Sequence, residues 1–413
     1  MKVNRRKVFE GLAAGAASML LPGATSAQGR EIKVALIAPL SGPWGRSGQL
    51  MKIGADMAIE DINAKGGVKV GSAQMNMRLV VADAGDSVER AKNAAQRFIA
   101  QEPDIVAGTG AWLSSFTIAV TEVTERAKLP WVTLSFADGI TNRGLKYVIQ
   151  TNAVSTEQAA NAMPALLDMA QRATGQRPKS VALISDGTTT AQTYIDPLRK
   201  GGFEKLGVKI VSDQIYTSPL SDATSLVQNL RATRPRPDFL LFYSSNSPDA
   251  TLVIQKLHEF GLPQTKLPMV CPGGVHLGTP EALKSMGPTL LEGTMLQVAN
   301  WPSKKQADIM PGLIKRSGEP WLNSDVISTY GDMWLIKDAV ERAGSTDREK
   351  VMVALRATNT DSGPSLYFGG KLKFDTEGRR QGGPTTIVQW RNGVPVTIFP
   401  AENAIMAPFW PSA

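Results

Sequence analysis

The residues able to do chemistry fall in short segments that each follow an apolar run. The first is Pro39-Leu40-Ser41-Gly42-Pro43-Trp44-Gly45-Arg46-Ser47-Gly48. Its glycines and prolines turn a chain sharply, and its small residues let backbone N–H groups approach a ligand. Trp44 could wall an apolar pocket, Arg46 could face a carboxylate, and Ser47 adds a hydroxyl. A plain turn with a surface arginine would carry the same residues. In Gly108-Thr109-Gly110-Ala111-Trp112-Leu113-Ser114-Ser115, Ser114 or Ser115 is expected to cap a helix over about 116–127. The free N–H groups there would hold an anion, with Trp112 as an apolar neighbour.

Four more segments repeat the theme. Ser135–Thr141 brings Ala137 and Asp138, and Asp186–Gln192 brings Thr189 and Thr190. Ser244–Pro248 carries Asn246, and Cys271–Val275 carries Gly273. Each alone is a generic turn. Six of them at the same end of their strands predict a polar rim around a ligand.

Catalytic alternatives are poorly supplied. The chain lacks G-x-x-x-x-G-K-[ST], H-E-x-x-H and G-x-S-x-G, and Leu113 stands where a dinucleotide fingerprint needs its last glycine. One cysteine, Cys271, and two histidines, His258 and His276, starve most nucleophilic and metal-site schemes, although His276 could reach a cleft. No cofactor, no metal and no enzymatic activity are expected.

The elements that must position these loops alternate in type. Apolar runs at Ile32–Ala38, Leu79–Ala82, Ile105–Gly108 and Trp131–Leu134 read as buried strands. Between them, Leu50, Ile53, Met57 and Ile62, and then Ala91, Ala94, Ala95, Phe98 and Ile99, recur at helical spacing. After Thr151 the rhythm restarts, with strands at Val181–Ser185, Val208–Val211, Phe239–Tyr243 and Met269–Cys271. Helices are expected over Gln192–Leu206, Ala223–Arg234 and Asp249–Phe260. The tail, Leu372–Phe374, Thr386–Trp390 and Val396–Phe399, reads as a β-meander or hairpin turning at Arg391-Asn392-Gly393. The fold class is therefore α/β, with two doubly wound parallel-sheet lobes. Ligands in such sheets bind beyond the carboxyl ends of the strands, which is where the six loops lie.

Residues 1–27 stand apart from this pattern. Arg5, Arg6 and Lys7 precede an apolar run from Gly11 to Ala24, and Thr25-Ser26-Ala27 supplies small residues for a signal peptidase. The paired arginines also fit a twin-arginine export signal, with Sec export the alternative. No cysteine follows for a lipid anchor. The formal net charge is +8; the leader carries Lys2, Arg5, Arg6 and Lys7 against Glu10, so residues 28–413 carry +5. That charge, without a basic stripe of interleaved aromatics, predicts a soluble protein with no nucleic-acid partner.

Ile32–Pro43, together with Ala58-Ile59-Glu60-Asp61-Ile62-Asn63-Ala64-Lys65-Gly66-Gly67, resembles the leucine/isoleucine/valine-binding protein family, the periplasmic receptors of branched-chain-type ABC importers. Asp83 in Ala-Asp-Ala, Leu129–Val132 and Thr141–Gly144 support the resemblance, which covers about 31–400. It implies a type-I periplasmic binding protein: two lobes joined by three crossovers, closing on a ligand by hinge motion. It assigns 28–152 plus 299–360 to lobe one and 153–298 plus 361–413 to lobe two.

By the same resemblance, Ser114 or Ser115 and the loop Ala137-Asp138-Gly139 would hold a ligand carboxylate. The family's amine-binding acid falls on Gly273, and a common tyrosine falls on Thr190. A buried ammonium without a carboxylate partner costs several kcal/mol, so Asp138 must substitute or the ligand lacks an α-amine. The implied ligand is small and polar or carboxylate-bearing: an amino acid, an aromatic acid or an amide. The implied partner is the membrane permease of an ABC importer, the location the periplasm, and the state a monomer. An exported sensor, or a nucleotide-dependent enzyme, is the alternative.

Overall fold

The computed structural model describes Glu31–Pro411. The leader and its cleavage after Ala27 lie outside the described residues.

Strands β1 (Ile32–Ala38), β2 (Met77–Asp83), β3 (Ile105–Gly110), β4 (Trp131–Thr133) and β5 (Val148–Gln150) form one sheet, all parallel, in the order β2-β1-β3-β4-β5. Alternation along β1 explains its unbroken apolar run. Val34 and Leu36 enter the core on one face, while Ala35 and Ile37 enter the core on the other. Helices α1 (Gly45–Ala64), α2 (Val88–Gln101) and α3 (Ser114–Arg126) connect these strands.

The chain then passes to a second lobe. In order come α4 (Ser155–Thr174), β6 (Ser180–Asp186), α5 (Thr189–Pro197), β7 (Lys209–Tyr216), α6 (Thr224–Ala232) and β8 (Phe239–Tyr243). There follow α7 (Ser247–Glu259), β9 (Met269–Pro272), α8 (Pro280–Leu291) and β10 (Met295–Val298). It returns to lobe one for α9 (Met310–Ser317), α10 (Ser324–Ala343) and α11 (Arg348–Arg356), then crosses a third time to β11 (Thr386–Arg391) and β12 (Val394–Phe399). The second sheet runs β12-β11-β10-β9-β8-β6-β7, with β11 and β12 antiparallel. In both sheets strand order reverses beside the first strand, so each lobe has a crevice at the carboxyl ends of its first and third strands.

Several expectations need correcting. The helix expected over Gln192–Leu206 breaks at Lys200 and Gly201, where Gly201 takes φ 109°. Strand β10 was not anticipated: four residues after Gly293 are too few for periodicity to mark. Leu372–Lys373 does not join the tail hairpin but pairs with Asn359–Thr360 in a small sheet of its own. Phe368, Leu372 and Phe374 pack in the core of lobe one. The third passage therefore follows them, instead of beginning at residue 361. The β11–β12 hairpin does turn at Asn392 and Gly393, with φ 53° and 81°, as a two-residue loop of that twist requires.

The passages are tied together. Gln150 N–H donates to Gly378 O at 2.8 Å and Arg380 N–H to Gln150 O at 3.1 Å, so the first and third run side by side. Arg380, 1% exposed, donates to the carbonyls of Phe368, Gly370, Lys371 and Thr151. Beside them, Asp332 of α10 is fully buried and accepts from Thr109 Oγ1 at 2.6 Å and faces Thr151 Oγ1 at 3.0 Å. Helix α10 approaches α1 closely enough that a Cβ on Gly54 would stand 2.2 Å from Val326 O.

Among the described residues no helix is long and apolar enough to cross a membrane.

Candidate functional site: the interlobe cleft

Where the strand-end loops of the two lobes meet there is a narrow cavity of about 40 Å³. Lobe one contributes Trp112, Leu113, Leu134, Phe136, Ser324 and Asp325, and lobe two contributes Thr190, Tyr243, Ser245, Gly273 and Val275. A larger hollow of about 470 Å³ lies at the broken helix, lined by Leu198, Arg199, Phe203 and Ile210 among others. It contains no strand-end loop from either crevice, and Arg199 is bound there by Asp196 and Asp213. The cleft is therefore the better ligand site despite its smaller volume.

The lobe-one wall is built on strain. Ala111 and Trp112 both take left-handed backbone, φ 66° and 61°, which a bulky side chain rarely adopts. Trp112 is fixed at both ends: its Nε1 donates to Asp325 Oδ1 at 3.0 Å, and its carbonyl accepts from Ser135 Oγ at 2.8 Å. The cap of α3 is Leu113, not a serine, and the first helical hydrogen bond is Thr117 N–H to Leu113 O. The amides of Ser114, Ser115 and Phe116 are thus left outside the helix ladder, next to Trp112.

Of the twelve residues expected at the site, Trp112, Thr190 and Gly273 line the cavity. Ser114 is buried and its hydroxyl accepts from Ala137 N–H at 3.2 Å, so both residues serve to dock one loop on another. Ser115 is half-buried one residue further along α3. Asp138 is turned to the start of α4, accepting from Thr156 Oγ1 at 2.5 Å and Thr156 N at 3.3 Å, and does not line the cavity. Thr189 is exposed. Asn246 caps α7 through Asp249 N–H at 2.9 Å. His276 is buried away from the cavity lining, and burial lowers its pKa to about 4, which keeps the ring neutral.

Arg46 and Trp44 have a different task from the one expected. The guanidinium of Arg46 meets both carboxylate oxygens of Glu319 at 2.7 Å and lies 2.9 Å from Glu281 on the other lobe. It is thus engaged by protein acids and not free for a ligand anion. Trp44 Nε1 donates across the cleft to Ser245 O at 3.1 Å, while its ring meets Phe116 edge-on. Trp321 also bridges: its Nε1 donates to Gly278 O at 2.7 Å and its ring abuts Trp390 in lobe two, while the next residue, Leu322, is in the lobe-one core.

Asp325 was missed by sequence reading. It is the second residue of α10, 1% exposed, and it accepts from Trp112 Nε1 and, at a long 3.4 Å, from Asn323 Nδ2. Burial raises its pKa to about 6, against the pull of those donors. Ser47, expected in the site, is buried in the first turn of α1 and does not line the cavity. The only signal in the sequence was an acid just inside a capped helix, Asn323-Ser324-Asp325, which is commonplace.

Gly273 explains itself: its φ is +65°, and a Cβ would stand 2.6 Å from Tyr243 Oη. A Gly273→Ala variant is expected to lose about 1–2 kcal/mol from the left-handed backbone alone and to push Tyr243 off its place. Urea unfolding reads the first effect. A normal midpoint would show that this loop relaxes freely.

The periplasmic binding protein family matches residues 31–394. The chain is 28% identical to Leu/Ile/Val-binding protein homolog 7 of Brucella melitensis over 396 residues, covering 94% of this chain and 95% of that one. Among solved structures, a leucine-binding protein LivK from Thermotoga maritima superposes with a TM-score of 0.74 at 22% identity, covering 89% and 97% of the two chains. A solute-binding protein of an ABC transporter from R. palustris, in complex with benzoate, has a TM-score of 0.74 at 15% identity, covering 93% and 99%. The chain belongs to the periplasmic binding protein family.

Proposed function

We propose that this chain is a periplasmic receptor that captures a small carboxylate-bearing ligand between its lobes and hands it to the permease of an ABC importer, after export with loss of residues 1–27. The observation that carries the reading is the cleft cavity itself, walled by strand-end loops of both lobes. The ligand carboxylate sits at the amides of Ser114, Ser115 and Phe116, where the dipole of α3 favours negative charge. Trp112, Phe136, Tyr243 and Val275 enclose the apolar remainder.

A volume of about 40 Å³ admits about three water molecules and nothing larger. A ligand the size of leucine or benzoate therefore enters while the lobes are apart, and hinge closure follows. Relatives named for leucine, isoleucine and valine, and a structural neighbour that holds benzoate, support a carboxylate with an apolar body.

Thermal unfolding of residues 28–413 against branched-chain and aromatic amino acids, benzoates, dicarboxylates and amides tests this. A ligand present at 100 times its Kd stabilises by about 2.7 kcal/mol. Solution scattering on the same sample is expected to show a smaller radius of gyration. If no carboxylate shifts the transition while a neutral amide does, the anion site at α3 is wrong.

A further inference from the structure

Among the described residues that line the cavity, Asp325 is the one acid and none is basic. Asp325 receives two neutral donors: Trp112 Nε1 at 3.0 Å, and Asn323 Nδ2 at a long 3.4 Å to the second oxygen. Among the described ion pairs none includes Asp325, and Arg46, the basic residue next to Ser47, is bound by Glu319 and Glu281. The other cavity residues are aromatic, aliphatic or hydroxyl-bearing. A carboxylate taken out of water and met only by neutral groups is incompletely stabilised, and a cation placed against it recovers much of the difference.

We propose that Asp325 is the specificity-determining residue of the cleft, the counter-charge for a protonated amine on the ligand, and that it makes lobe one the holder of both charged ends. The assignment rests on the receptor reading above. It adds a third route to the two the sequence left open, substitution by Asp138 or a ligand without an α-amine: the acid is supplied from the lobe opposite Gly273, at the start of α10. Trp112 then has two tasks. It forms a wall, and its indole N–H fixes the carboxylate oxygen it touches, leaving the second oxygen, with its long contact to Asn323, for the ligand. Because the anion site at α3 and Asp325 flank the same tryptophan, a zwitterion meets opposite charges on one lobe before the other closes over it. An amine-free acid instead brings a second negative charge into the same small cavity. The raised carboxyl pKa adds a signature: an amine-bearing ligand gains affinity as pH rises through about 6, where Asp325 ionises.

The test uses matched probes that differ only in the amine, leucine against 4-methylpentanoate and phenylalanine against 3-phenylpropionate, titrated calorimetrically from pH 5 to 8. The variant is Asp325→Asn, which keeps an oxygen for Trp112 Nε1 and removes the charge. In the parent chain the amine-bearing member of a pair is expected to bind at least tenfold tighter at pH 7.5, with the gap narrowing below pH 6. In Asp325→Asn that preference falls at least tenfold and loses its pH dependence, while the amine-free member binds no worse. Equal binding of both members, unchanged in the variant, overturns the role of Asp325 and leaves the receptor reading standing. Binding of neither member of either pair, with benzoates and amides also inert, overturns the receptor reading and this assignment with it.

Discussion

Between pH 4 and pH 7 the parent chain is expected to lose stability that an Asp332→Asn variant keeps. Asp332 is fully buried, and burial raises its pKa from 3.8 to about 7. The folded state therefore holds a proton over a range where the unfolded chain has released it. The associated stability is complete below about pH 4 and disappears as pH rises through 7, a change of about 4 kcal/mol for a shift of roughly three units. Hydrogen-bond geometry supports the neutral acid independently. Thr151 Oγ1 lies 3.0 Å from Asp332 Oδ1 and 3.2 Å from Thr133 O, yet its hydroxyl has one proton to give. If Asp332 is protonated it donates to Thr151, Thr151 donates to Thr133 O, and Thr109 donates to the other Asp332 oxygen. Asparagine reproduces this arrangement, its Nδ2 taking the place of the O–H. Urea unfolding at pH 4.5 and pH 8 should give the variant the smaller drop by several kcal/mol. Parallel drops would mean that Asp332 is ionised and that the arrangement is wrong.

Trp321→Ala is expected to raise the ligand Kd about 30-fold without touching the cavity lining. The side chain leaves the lobe-one core one residue before Leu322 enters it, and it meets lobe two through Gly278 O and Trp390. Loss of this half-buried aromatic contact and its hydrogen bond removes about 2 kcal/mol from the closed arrangement, which is roughly 30-fold in a closure equilibrium. If closure is required for tight binding, apparent affinity falls by the same factor. Calorimetry gives the Kd, and scattering without ligand should show a larger radius of gyration than the parent chain. By contrast, the Arg46–Glu281 bridge, with Glu281 half exposed, contributes little to closure, and Arg46→Ala serves as the weaker comparison. An unchanged Kd together with an unchanged radius would show that Trp321 does not hold the lobes together.

The alternation of strands and helices was legible because parallel strands buried on both faces read as apolar runs, as β1, β6 and β8 do. The loops followed from ligand binding beyond the carboxyl ends of such strands, and Trp112, Thr190 and Gly273 from the loops. What the sequence concealed came from outside that logic. Asp325 sits at the start of a helix that follows the second passage, with no preceding strand to mark its loop. Arg46 looked like an anion contact because its acidic partners, Glu281 and Glu319, are more than 230 residues away along the chain. Asp138 was expected at a strand end, yet it lies past the loop that follows β4, at the start of a short helical turn that aims its carboxylate at Thr156 in the first turn of α4.

The triple passage between lobes also dictates when each part can become whole during synthesis. The lobe-one sheet is complete at Gln150, but the core that α1 begins over Leu36 stays only partly covered until Val326, Ile336 and Phe368 have been made. Lobe two waits longer, since Val388 and Trp390 finish its core and β11 covers the flank of β10 only near the end of the chain. Lobe one is finished only near Phe374 and lobe two only with the closing hairpin, so folding depends on contacts between distant segments and is correspondingly slow. A nascent chain of this design keeps its second lobe open until almost its last strand has emerged.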